Sequence, residues 1–148
     1  MISADFDQTE EQLDIELGFP RGSVFVCPKC GQADLKAHDT IEKTWRHLDF
    51  FQHKAYLKAK VPRVNCDHCG VKLVNVPWAR QGSGFTLLFE AMIMTLVKAM
   101  PVKTAAAFVD EHDTRLWRIL HHYVDTAREQ LDCSEVTSFG VDETSAIE

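Results

Sequence analysis

The chain has 148 residues, 45% hydrophobic and 26% charged, with a formal net charge of −6. Those values suit one ordinary domain or two small ones and exclude collagen-like and wholly disordered chains. The most apolar stretch, 85–102, is broken by Glu90 and Lys98, so it falls short of the roughly 20 apolar residues of a spanning helix.

Residues 1–22 read as an acidic tail ending in the breaker cluster GFPRG, with Leu13, Ile15 and Leu17 as its only apolar alternation. The acidic start carries no basic-then-apolar signal pattern, which points to the cytoplasm. Paired cysteines there more often hold metal than form disulfides. Residues 23–79 read as short strands and turns. Val24–Val26, Trp45–Asp49, Lys54–Val64 and Val71–Val76 are the strand candidates. Over 54–61, Ala55, Leu57, Ala59 and Val61 alternate with Lys54, Tyr56, Lys58 and Lys60, the pattern of a half-buried strand with a basic outer face. Pro62 places that strand at an edge or near its end.

From Gly84 the period changes. Phe85, Leu88, Phe89, Met92, Leu96, Ala99 and Met100 fall at helical spacing, and Pro101 ends the run. A short helix is predicted over Val102–Asp110, and a longer one from about Asp113 to Leu131 with Asp113 as its N-cap. Helix, breaker, short helix, turn, longer helix is the order of a helix-turn-helix unit. The longer helix, as the recognition helix, presents Thr114, Arg115, Trp117 and Arg118 in its first turns, where side chains could reach bases or phosphates. A plain three-helix packing unit has the same outline. The acids Asp110, Glu111 and Asp113 lie near that face, and the turn has no glycine. Residues 137–142 read as the start of one more strand.

The cysteines carry the most specific chemistry. Cys27 and Cys30 form one C-x2-C pair, Cys66 and Cys69 another, thirty-five residues apart. Each pair is followed by a glycine, Gly31 or Gly70, which lets the backbone fold beneath a metal. Four thiolates complete the tetrahedron of one structural zinc and leave no open site for catalysis. The long gap is tolerable, since doubling a loop costs only about 0.6 kcal/mol. Redox chemistry at CPKC is the competing reading. It suits this chain poorly, because the pairs sit between strands and not at the start of a βαβ helix. His68, inside the second pair, is a filler or an alternate ligand, and Cys133 has no partner motif.

Charge is uneven along the chain. Residues 1–26 hold one Arg against six acids, residues 27–80 ten Lys or Arg against five acids, and residues 81–148 five against eleven. The middle third is a basic island, which can bind phosphate whatever the global sign. Zinc held by four thiolates would add two negative charges to it.

With these pieces in order (CPKCG, TWRHLDF at 44–50, YLKAKVPRVNCDHCG at 56–70, VPWA at 76–79, FTLLFE at 85–90 and FGVDETS at 139–145), the sequence resembles the ISL-three family of insertion-sequence transposases over about residues 25–145. The resemblance implies an α+β chain. A zinc-ribbon-like β module (23–79) is followed by a three-helix, helix-turn-helix-like region (80–132) and a stub of a ribonuclease-H-like catalytic domain (133–148). It also implies that Asp142 is the first acid of a carboxylate triad that holds divalent metal such as Mg in a complete catalytic domain. One carboxylate alone should be inactive. The implied partner is double-stranded DNA at terminal inverted repeats, with a homodimer as the assembly and no membrane. The expected DNA contacts are Arg46, Lys54, Lys58, Lys60 and Arg63 on the zinc module, and Thr114, Arg115 and Arg118 on the helix. The rival function is a zinc-ribbon protein-interaction module using exposed Trp45, Trp78 or Trp117.

Overall fold

A computed structural model of the chain describes residues 2–132 together with Ser134, Thr137, Ser138 and Gly140. Phe139, Val141 and Asp142 of the expected strand at 137–142, and Cys133, lie outside the described residues. The chain divides into two compact units, Met1–Met100 and Pro101–Glu148.

The first unit is built on two long strands. β4 (Leu35–Phe50) and β5 (His53–Cys66) form an antiparallel hairpin. One edge of β5 pairs with β4. The other pairs with β2 (Gln12–Leu17), in parallel over Lys54–Ala59, and with β6 (Gly70–Leu73), antiparallel over Arg63–Cys66. β1 (Ser3–Asp7) pairs with β2, and β3 (Val24–Phe25) with the start of β4. Pro62 therefore lies in a strand paired along both sides, not at an edge. It sits opposite Thr40, between the β2 and β6 segments of that second edge, where no ladder bond needs its missing N–H.

Residues 1–22 are thus not a tail. Leu13, Ile15 and Leu17 align with Ala55, Leu57 and Ala59, and Ile15 and Leu17 pack on the core. Three alternating apolar side chains suffice because β5 supplies a ready edge. β4 also extends much further than Trp45–Asp49. Its first ten residues, LKAHDTIEKT, are mostly exposed and carry no period-two pattern, so pairing with β5 holds them extended.

The alternation on β5 appears as expected over 55–61, where the odd positions are buried. Beyond Val61 the covered positions become Pro62, Val64 and Cys66, so the protected face changes over as the strand nears the cysteines. The core of this unit joins Trp45, Leu57, Ala59, Val61 and Ala79. Trp45 is only 3% exposed and meets Trp78 edge-on at 5.7 Å, so neither tryptophan is the exposed partner-binding residue expected.

α1 (Leu87–Ala99) also belongs to the first unit. Thr86 caps it by accepting from the Phe89 N–H, and the backbone of Arg46 brackets its entry, donating to Gly84 and accepting from Thr86. The charged interruption seen in its sequence, Glu90, is fully buried. It is held by Arg80 at 3.0 Å and by the Ser83 hydroxyl at 2.5 Å. The helix is fastened to the zinc module, although the sequence groups it with the helices that follow. The second unit packs α2 (Val102–Phe108) against α3 (Asp113–Glu129). Ala105, Ala106, Val109, Leu116 and Ile119 are buried there. Asp110, at φ +51°, takes the left-handed position that glycine usually fills after a helix. The N-cap of α3 is His112, whose Nδ1 accepts from the Thr114 N–H at 3.3 Å, and Asp113 is the first helical residue.

Candidate metal centre and nucleic-acid interface

The long hairpin brings the two cysteine pairs together despite their separation. Cys27 and Cys30 sit in the connection from β3 to β4, and Cys66 ends β5. Cys69 closes the short turn into β6, where Cys66 pairs with Gly70. The four sulfurs all lie within 4.8 Å of one another. A tetrahedron with Zn–S bonds of about 2.3 Å has sulfurs about 3.8 Å apart, so the cluster fits zinc with shifts of tenths of an ångström. The first turn closes through Gly31 N–H to the Cys27 carbonyl at 3.0 Å and Cys27 N–H to the Gln32 carbonyl at 2.8 Å. Both following glycines adopt positive φ, Gly31 at +77° and Gly70 at +69°, which is why glycine stands there.

The electrostatics of the thiols favour a cation. Backbone N–H groups of Cys30 and Lys29 pull the Cys27 thiol down to about 6. Burial, followed by the three neighbouring sulfurs, pushes Cys69 up to about 12. One sulfur is ready to ionise and another resists beside it. A divalent ion is the species that lets all four bind as thiolates.

The expected basic face fares differently. Arg46 is not on it: the side chain is 1% exposed. Its guanidinium lies 2.5 Å from Asp49 and over the rings of Tyr56 and Phe89, at 5.5 and 5.6 Å. Arg46 fills the junction of the sheet with α1. Lys58 and Lys60 are exposed, but Lys58 pairs with Asp14 of β2 at 2.6 Å and Lys60 with Glu42 of β4 at 3.6 Å. Arg63 pairs with Asp39, whose carboxyl it holds below the usual range. Lys54 is half-buried and also has an interaction partner. Sequence reasoning missed these carboxylates because they come from strands far away in the chain.

On α3, Arg115 is tied to Glu111, whereas Thr114, Trp117 and Arg118 are exposed. Trp117, at 47% exposure, is tilted against His121 with ring centres 5.9 Å apart. Among the described residues, no ion pair engages Arg118.

A family model described as the zinc-finger of transposase IS204/IS1001/IS1096/IS1165 matches residues 23–69. A second, described as the helix-turn-helix domain of transposase family ISL3, matches residues 74–124. The chain carries the zinc-ribbon and helix-turn-helix domains of the ISL3 transposase family. Among curated relatives, the transposase for insertion sequence element IS1557 from Mycobacterium tuberculosis, in strains CDC 1551 / Oshkosh and ATCC 25618 / H37Rv, is 32% identical over 133 residues. The alignment takes in 85% of this chain and 29% of the relative. No solved structure matches significantly. The zinc-finger match and the four-sulfur cluster together support a structural zinc. Among the described residues, no helix is long and apolar enough to cross a membrane.

Proposed function

We propose that this chain is the DNA-recognition part of a DDE-type transposase, binding duplex DNA at terminal inverted repeats. Cys27, Cys30, Cys66 and Cys69 are the ligands of its structural zinc. α2 and α3 act as the helix-turn-helix, and the first turns of α3 enter the major groove. The observation that carries this reading is the exposed Thr114–Arg118 face of α3, four residues apart on one side of the helix, inside the segment that matches the helix-turn-helix family. Catalysis belongs to the complete enzyme, with Asp142 as first acid, Mg as the metal, and a homodimer in the cytoplasm as the working assembly. The test is a binding titration on terminal-repeat and scrambled duplexes. Arg118→Ala should cost about 1–3 kcal/mol on the repeat and narrow the preference between the two. Equal binding of both duplexes by wild type and variant would overturn it.

A second reading, a protein-interaction module, is favoured by one feature. Phe50 and Phe51 stand exposed at the tip of the β4–β5 hairpin, and Phe51 is 87% exposed at φ +57°. Capture of a partner that survives nuclease and is lost in Phe51→Ser would support it.

A further inference from the structure

The basic island separates into two populations. Lys58, Lys60 and Arg63 have carboxylate partners, and Asp5 aligns with Asp14 while Glu16 aligns with Lys58 across the same strands. A phosphate approaching that face meets a field already reduced by its neighbours. Lys29, in the first cysteine turn, and Lys72, on β6, differ. Among the described residues neither has an ion pair, and both line one open cleft of about 430 Å³ with Pro28, Leu73, Gln81 and Gly82. Lys43 of β4, likewise without an ion pair among the described residues, lines the adjoining depression, which shares Leu73, Gln81 and Gly82 with that cleft. Gln81 is exposed and tied to Asn75 at 2.7 Å, and Gly82 turns the chain at φ +78°. Two lysines therefore line this cleft beside the first cysteine turn, and a third lines the depression that adjoins it.

We propose that the zinc module grips the DNA backbone through Lys29, Lys72 and Lys43 around the Gln81–Gly82 turn, and not through the lysine face of β5. The ligand is a phosphodiester. The cleft is open and lined by two lysines, an amide and the Gly82 turn, with Pro28 and Leu73 as its apolar side chains, so it suits backbone more than base edges. This proposal rests on the DNA-binding reading above and adds a second point of attachment to the one on α3.

The test is fluorescence anisotropy of the full chain with a terminal-repeat duplex across a salt series, with zinc content measured for each protein. Lys29→Gln with Lys72→Gln should make the slope of log affinity against log salt shallower by about 1.8, that is about 0.9 for each phosphate no longer neutralised. Lys58→Gln with Lys60→Gln should leave the slope near wild type. An unchanged slope in the first pair overturns the proposal, as does an equal loss in the second. Faster zinc loss to a chelator with an unchanged slope also overturns it, because the two lysines then only offset the charge of the thiolates. Inorganic phosphate competing in the low-millimolar range without any change in the DNA slope would assign the cleft to free anions instead. Arg118→Ala is run beside these. If it weakens binding while the lysine pair does not, this inference alone fails. If wild type does not bind DNA at all, the parent reading fails with it.

Discussion

Replacing Arg46 by alanine separates a scaffold role from a DNA contact. The side chain is 1% exposed, with its guanidinium over the Tyr56 and Phe89 rings and its Nη2 on Asp49. Two desolvated cation–π contacts are worth about 0.5–2 kcal/mol each. Loss of the buried aliphatic stem adds a cavity cost. Asp49 is 41% exposed and regains water once released, so its loss of a partner adds little. The expected destabilisation of the first unit is about 3 kcal/mol. With a urea slope of about 2 kcal/mol/M, the unfolding midpoint should fall by about 1.5 M. Arg46→Lys keeps the charge but not the planar group that spans both rings, and it should fall between wild type and alanine. The assay is urea unfolding followed by tryptophan fluorescence, since Trp45 and Trp78 report on this core. DNA affinity measured well below the midpoint should be unchanged. An unchanged midpoint with weakened DNA binding would refute the burial argument and return Arg46 to the DNA face.

Other outcomes follow from the same structure. Removing the metal with a chelator should collapse the sheet of the first unit, seen as loss of strand signal in far-UV circular dichroism, with about one zinc released per chain; an unchanged spectrum would argue against a structural role. Glu90→Ala breaks a buried carboxylate–arginine pair, and a cost of about 3 kcal/mol is expected in the same urea assay. A cost under about 1 kcal/mol would show that Arg80, 23% exposed, relaxes freely into water. Burial lowers the pKa of His47 beneath its ordinary value of 6.5, and its Nδ1 lies 2.9 Å from the Thr86 hydroxyl that caps α1. The unfolded chain therefore binds the proton more readily. Stability is fully present above about pH 6.5 and declines as pH falls below it. Melting curves at pH 7.5 and 5.5 should show this decline, and His47→Gln should reduce it. Asp110→Val should destabilise the second unit by about 1 kcal/mol or more in a thermal melt, because φ +51° does not suit a β-branched residue, and an unchanged melt would refute this.

The parts of the fold legible in the sequence are those with a local rule. The two cysteine pairs with their glycines, the alternation over 55–61 and the helical spacing after Gly84 each repeat within a few residues, and each appears in the structure. What escaped depends on partners. The first half of β4 has no apolar period and is a strand only because β5 lies beside it. Leu13, Ile15 and Leu17 alternate over too short a span to predict a strand, yet a parallel partner makes them one. α1 reads as the first of three helices. It sits with the zinc module because Glu90, Thr86 and Phe89 find Arg80, His47 and Arg46 there, residues 10 to 43 positions earlier.

The charge pattern shows the same limit from the side of function. Counting along the chain finds ten cations between residues 27 and 80 and suggests one basic surface. Pairing along the sheet redistributes that charge. β2 carries Asp14 to Lys58, β4 carries Glu42 to Lys60 and Asp39 to Arg63, and Arg46 turns inward. The lysines that a periodic reading singles out are therefore the ones whose fields are most reduced. Those it passes over, Lys29 in a cysteine turn and Lys72 on a four-residue strand, stand on the same cleft without a carboxylate among the described residues. The acidic strand β2 at the start of the chain thus bears on the proposed phosphate site: with β4 it brings negative charge to the lysine face of β5, while the cleft beside the zinc turn has two lysines and no carboxylate in its lining.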